Sequence, residues 1–210
     1  MPSNQIIAGS FDKIKMEKAK KEKKDFNIVF CGVGGQGIIT LLKVLAEAAF
    51  IDGYDIRTSE LHGLSQRSGS VQAQARFGKK IYSPLVQAGQ ADLILSLEKN
   101  EALRTAFIAG EKTKFLINDK FISYFGGLSE KNVNAKLKKL GQNIYLIEAA
   151  KICREQIGKE VLAGIYLLSW ASFQGLIPIK SKSVLKAIEN TIPAKYLALN
   201  KKAFSLAKSI

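Results

Sequence analysis

The stretch Phe26–Gly37, "FNIVFCGVGGQG", decides the fold. An apolar, β-branched run ending at glycine suits a buried parallel strand. The period then changes. Ile38, Leu41, Leu42, Leu45, Ala46 and Ala49 keep one apolar face of a helix, with Gly53 as its natural stop. "YDIRTSE", residues 54–60, reads as a second strand. Strand, helix and strand make a unit whose crossover is right-handed.

Outward from this unit, "LHGLSQRSGS" has no apolar period and reads as a loop. "VQAQARFG" sets Val71, Ala73, Ala75 and Phe77 against Gln72, Gln74 and Arg76, a strand with one wetter face. "KKIYSPLV" is expected to be its hairpin partner, ended by Pro84. "ADLILSLE" is the clearest buried strand, followed by a helix in "KNEALRTAFIAG". "TKFLIND" and "NIYLIEA" read as strands on either side of a short helix in "NVNAKLKKLG". After Ala149 the pattern is helical, with Pro178 and Pro193 near helix starts, where proline is tolerated. Alternating strands and helices that close as helices specify an α/β fold. The expectation is a three-layer α/β/α Rossmann-like domain over residues 26–210, with a mainly parallel sheet and a helical C-terminal part. Residues 1–25 are polar and basic, and are expected to form a flexible arm.

Composition removes several function classes. Two cysteines, Cys31 and Cys153, are too few for a disulfide scaffold, an iron–sulfur cluster or a four-cysteine zinc site. His62 is the only histidine, so a histidine-rich metal site is excluded. No apolar run reaches the roughly 18 residues that cross a bilayer. The N-terminal segment has no apolar core before a small-residue cleavage site, so the expected location is cytoplasmic. The net charge of +14 invites a nucleic-acid reading. Lysine dominates it, with seven lysines between Asp12 and Lys24, and few arginines are present to read bases. A solvated basic surface is the expectation, with no nucleic acid and no membrane as partner.

A glycine-rich turn from strand to helix aims backbone N–H groups at an anion, helped by the helix dipole. Gly32, Gly34 and Gly37 satisfy G-x-G-x-x-G. Asp55 and Glu60 both stand near the position of a ribose-binding carboxylate, so a stand-alone NAD(P)- or flavin-nucleotide-binding oxidoreductase fits the spacing. Gln36 puts a long polar side chain inside the turn, and no G-K-[ST] follows it. A structural reading, in which the glycines only let strand and helix pack tightly, fits the same residues. Glu60, His62, Gln66, Arg67, Ser68 and Ser70 lie within eleven residues of one another. Loops after strand C-termini gather at one edge of a parallel sheet. His62, Gln66 and Arg67 would then join the turn in gripping phosphate or carboxylate. No catalytic set is complete, so any reactive centre must come from elsewhere.

Taken together, "GVGGQGIITLLKVLAEAA", "TSELHGLSQRSGSVQAQARFG" and "YSPLVQAGQADLILSLEKNEALR" resemble the gamma-type subunit or domain of 2-oxoacid:ferredoxin oxidoreductases. Within that family the resemblance is to the branch acting on indolepyruvate. It runs over residues 26–208 and includes the closing helices. It implies oxidative decarboxylation of a 2-oxoacid, indolepyruvate or another aryl pyruvate, to acyl-CoA and CO2 with reduction of ferredoxin. Coenzyme A is then a co-substrate, and this chain alone binds no cofactor. Thiamine diphosphate and iron–sulfur clusters belong to a large partner subunit. By the resemblance, Gly34, Gly35, Gln36 and Gly37 form a turn facing that partner. His62, Gln66, Arg67, Ser68 and Gly69 match the family element H-G-x-x-Q-R-G-G. Ser68 departs from it, standing where the family has glycine, which changes how closely backbone and ligand approach there.

Overall fold

The structure, a computed structural model, describes residues 24–62, 69–141 and 143–208, with His62 described by its backbone alone. The basic arm expected at 1–25 lies outside the described residues except for Lys24 and Asp25. β1 (Phe26–Val33) leads through the glycine turn into α1 (Ile38–Ile51), then β2 (Asp55–His62) and β3 (Ser70–Gly78). β4 (Ala91–Ser96), α2 (Lys99–Thr105), β5 (Ala109–Asn118), α3 (Glu130–Lys138) and β6 (Ile144–Ile147) follow. The chain closes with α4 (Ala149–Ile157), α5 (Ala163–Phe173), α6 (Ser181–Thr191) and α7 (Ala194–Leu206).

The sheet order is β2-β3-β1-β4-β5-β6. β1, β4, β5 and β6 pair in parallel, while β3 lies antiparallel between β1 and β2. The mainly parallel α/β/α expectation therefore holds, with β3 the one reversed strand in a mixed sheet. Two details differ. β2 is separated from β1 by β3. Residues 79–90 form no strand, because both edges of β3 are already taken and Pro84 has no N–H to offer a ladder. That segment crosses the wetter face of β3 as a strap. Gln74 accepts the Val86 N–H at 2.7 Å, and Arg76 donates to the Ser83 carbonyl at 3.2 Å.

The alternation in β3 now has a cause on each side. Val71, Ala73, Ala75 and Phe77 enter the larger core, which packs under α1, α4, α5, α6 and α7. The opposite face of the sheet carries a smaller core of Val29, Cys31, Ile94, Phe115 and Ile117 under α2 and α3. α5 is buried along nearly its whole length, as a helix apolar on all sides must be. Val44 and Ala48 are buried on α1 beyond its single expected stripe, because α6 covers a second side of that helix.

Asp52, at the C-terminal end of α1, joins these helices. Its carboxylate accepts the Lys180 N–H at 2.8 Å and the Ser183 hydroxyl at 2.6 Å. α6 has no side-chain cap of its own at Lys180, so Asp52 supplies one from a distant element. Asp52→Ala should remove about 1–2 kcal/mol of stability, the usual range for a lost helix cap. Thermal unfolding should show the melting temperature falling by about 2–8 °C.

Candidate functional site

The C-terminal ends of β1, β4 and β5 lie at one edge of the sheet. α1 leaves β1 toward one face, and α2 leaves β4 toward the other. This makes the gap between β1 and β4 the switch point, where an open α/β sheet holds its ligand. The glycine turn stands there. Gly35 and Gly37 take φ values of 95° and 85°, in the left-handed region that glycine adopts without strain.

Gln36 closes this turn from inside. Its side-chain oxygen accepts the Val33 N–H at 2.8 Å, while its own N–H donates to the Val33 carbonyl at 3.1 Å. A Cβ on Gly32 would meet that side-chain oxygen at 2.6 Å, so Gly32 is what admits the cap. The Gly34 N–H donates to the Gly69 carbonyl at 2.9 Å. The N–H groups of Val33, Gly34 and Gln36, which a pyrophosphate would need, already have partners. Beyond the turn the gap is a cavity of about 90 Å³ bordered by Gly35, Leu97, Asn118, Lys120 and Glu160. Nucleotide pockets need roughly 300 Å³ or more. Those three donors, and the gap directly beyond them, are therefore not open to a dinucleotide.

The Gly34–Gly69 bond brings the exit of the polar loop onto the turn, as the sequence suggested. His62 ends β2 opposite Val71, two strand spacings or roughly 10 Å from β1. Gln66, Arg67 and Ser68 lie outside the described residues. Among the expected site residues, the structure thus brings Gly34–Gly37, Gly69 and the backbone of His62 to one edge.

A buried polar cluster beneath this edge escaped the sequence reading. The Ser70 hydroxyl donates to the Glu101 carboxylate, which also pairs with Arg104 at 3.1 Å. Glu98 caps α2, accepting from the N–H groups of Glu101 and Ile122 at 3.0 Å each and from the Asn100 amide at 3.1 Å. Burial pushes the Glu98 carboxyl above its ordinary value, against the pull of those donors. Burial would push the Lys99 ammonium down, but Asp119 and Glu130 outweigh it and hold it above its usual value. The signal for this cluster was present in "SLEKNE", where charged residues follow directly on a buried strand, as at a helix N-cap.

Next to the gap at the glycine turn, with Gln36 and Val161 in both walls, a cavity of about 530 Å³ opens, bordered also by Gly37, Thr40, Lys159, Tyr196 and Asn200. Much of its remaining wall is apolar, from Leu41, Val161, Ile165, Ile192 and Leu199. α1 has no side-chain cap and no acidic residue in its first turn. An uncapped helix start beside Lys159 suits an anionic end, and the apolar wall suits an apolar body. Among the described residues, no group of three His, Cys, Asp or Glu side chains is placed to hold a metal ion.

A family model for pyruvate ferredoxin/flavodoxin oxidoreductases matches residues 27–210. The chain belongs to that family. It is 35% identical over 191 residues to the indolepyruvate oxidoreductase subunit IorB of Thermococcus kodakarensis, covering 87% of this chain and 94% of that protein. Its fold matches the gamma subunit of a keto/oxoacid ferredoxin oxidoreductase from Geobacter sulfurreducens, with a TM-score of 0.67 and 21% identity. That match covers 88% of this chain and 95% of the other. A 2-oxoglutarate:ferredoxin oxidoreductase from Magnetococcus marinus, solved with 2-oxoglutarate, coenzyme A and succinyl-CoA bound, matches with a TM-score of 0.69 and 19% identity. This match covers 90% of this chain but only 31% of the larger one. The family resemblance read from the motifs is thus correct, and the stand-alone nucleotide enzyme finds no support.

Two measurements check this site. Gln36→Leu leaves the Val33 N–H without its acceptor and should cost about 1–3 kcal/mol in urea unfolding, while Gln36→Glu, which keeps an acceptor, should recover most of it. Burial pushes the Cys31 thiol up to about 12 and the Cys153 thiol up to about 11. Both should resist iodoacetamide at pH 8 in the native protein and react after unfolding. Because both values are raised on folding, their contribution to stability is full below about pH 9 and falls as pH rises through the interval to about 12.

Proposed function

We propose that this chain is the small subunit of a ferredoxin-dependent 2-oxoacid oxidoreductase acting on indolepyruvate or a related aryl pyruvate. The observation that carries this reading is the near full-length match to the IorB subunit. The complex removes CO2 from the 2-oxoacid, transfers the acyl group to coenzyme A, and passes two electrons to ferredoxin. Thiamine diphosphate and iron–sulfur clusters reside in the large partner subunit, and the complex works in the cytoplasm. Residues 26–210 form the gamma-type domain, and residues 1–25 are a basic arm outside it.

In this reading the chain supplies shape and hydrogen-bond donors to a reactive centre housed in its partner. Gly34, Gly35, Gln36 and Gly37 form a stiff turn facing the partner. The internal bonds of Gln36 fix that turn before docking, so little order remains to be imposed on assembly. In the same reading His62 and Gly69 flank the segment whose Gln66, Arg67 and Ser68 serve the ligand, with Arg67 to offer a fork of donors to a coenzyme A phosphate. The cavity between α1, α5 and α7 is open to an anion-ended, apolar-bodied group. The bound coenzyme A of the Magnetococcus marinus relative makes such a ligand chemically apt.

Mixing the purified chain with the thiamine- and cluster-bearing subunit that co-purifies with it from the native cell tests the reading. Indolepyruvate- and coenzyme A-dependent reduction of ferredoxin should appear only when both are present. Turnover, or tight NAD(P) or flavin binding, by the isolated chain would overturn the reading. Arg67→Ala in the complex should raise KM for coenzyme A about tenfold or more, the scale of a lost charge-assisted bond, with a smaller effect on KM for indolepyruvate.

A further inference from the structure

The turn Tyr124–Leu128 follows β5 at the same sheet edge and presents apolar side chains to solvent. Phe125 is fully exposed, with Tyr124 and Leu128 half-exposed on either side of it. Single exposed apolar residues need no explanation, but an aromatic cluster at the tip of a braced turn does. Glu98 accepts the Ile122 N–H at 3.0 Å, and Asn100 donates to the Ile122 carbonyl at 2.9 Å. The Gly127 N–H donates to the Tyr124 carbonyl at 3.0 Å. Gly126 adopts φ 73°, and a Cβ on Gly127 would meet the Tyr124 ring at 2.8 Å. The Arg104 guanidinium stands 5.0 Å from the centre of the same ring. The buried side chains of Glu98, at the cap of α2, and Asn100, within it, therefore hold the lead into a turn whose most apolar residue touches nothing.

We propose that this turn is the anchor by which the chain docks on the large subunit, with Phe125 entering an apolar pocket rimmed by acidic side chains. The proposal rests on the two-subunit reading above. Charge argues for such a rim. The chain carries a net +14, and the flank of the turn holds Arg104 and Lys131. Tyr124 and its Glu101 partner hold Arg104 in its charged form. Position argues for that occupant, because Glu101 links the turn to the candidate site. The same carboxylate that pairs with Arg104 takes the Ser70 hydroxyl, and Ser70 follows Gly69, which holds Gly34. The Phe125 turn and the glycine turn thus stand at the same edge of the sheet, tied by one hydrogen-bond network. Aromatic and arginine side chains at a preordered centre are what dominate interface affinity.

Titration of the full-length chain into the purified large subunit, followed by calorimetry, tests this. Phe125→Asp should raise Kd about 30-fold or more, the scale of an interface hot spot. Phe125→Leu should stay within several-fold of wild type. The control Phe107→Asp changes an exposed aromatic outside the turn and should leave Kd unchanged. Melting temperature should not move in the Phe125 variants, since that side chain packs on nothing. Wild-type affinity should weaken as salt rises. Unchanged binding by Phe125→Asp overturns the docking proposal while leaving the two-subunit reading intact. The proposal is equally overturned if Phe107→Asp weakens binding as much, or if Phe125→Asp only dissociates a homodimer. A wild-type chain that does not bind the large subunit overturns both.

Discussion

Gln36 folds its carboxamide over Gly32 to take the Val33 N–H, and the rest of the functional edge is arranged around that bond. It turns a glycine-rich segment that could have cradled phosphate into a self-satisfied turn. A buried or half-buried N–H without an acceptor costs about 1–3 kcal/mol, so the bond also makes the left-handed geometry at Gly35 and Gly37 durable. With the turn rigid, the Gly34–Gly69 bond ties the lead into β3 to it. A preformed turn suits the proposed reading, in which the chain lends geometry to a reactive centre housed in its partner.

The cluster under the edge extends the same logic. Carboxylates as buried as those of Glu98 and Glu101 are costly unless every lone pair has work. Here Glu98 gathers donors from α2 and the segment after β5, and Glu101 gathers Ser70 and Arg104. Three separate parts of the chain are thereby fixed relative to one another: the start of β3, α2 and the turn at Tyr124–Leu128. Such a network transmits position well, because moving one donor strands the others.

Much of the fold was legible because periodicity is a local property. The apolar face of α1, the alternation in β3 and the four closing helices all follow from spacing, and all are present. The strap at 79–90 was misread because its apolar residues resemble a strand, while the fact that β3 had no free edge is not a local one. Cys31 and Cys153 are both buried, as free cysteines commonly are. In the site, the turn between β1 and α1 was legible from residue types. The internal role of Gln36 was not, because a side chain's choice between its own backbone and a ligand depends on distances.

The sequence by itself determined the elements, the α/β class, the glycine turn between β1 and α1, and the family, since each rests on residue type and local order. Only the tertiary structure decided that β3 enters between β1 and β2, that the N–H groups of Val33, Gly34 and Gln36 are already engaged, and that α2 and its cap brace both the start of β3 and the Phe125 turn. Apart from the Gln36–Val33 bond, which is local, these contacts join residues well separated in the chain, such as Gly34 with Gly69, Ser70 with Glu101 and Glu98 with Ile122. No local pattern encodes them, because they depend on which surfaces the packed sheet brings within hydrogen-bond reach.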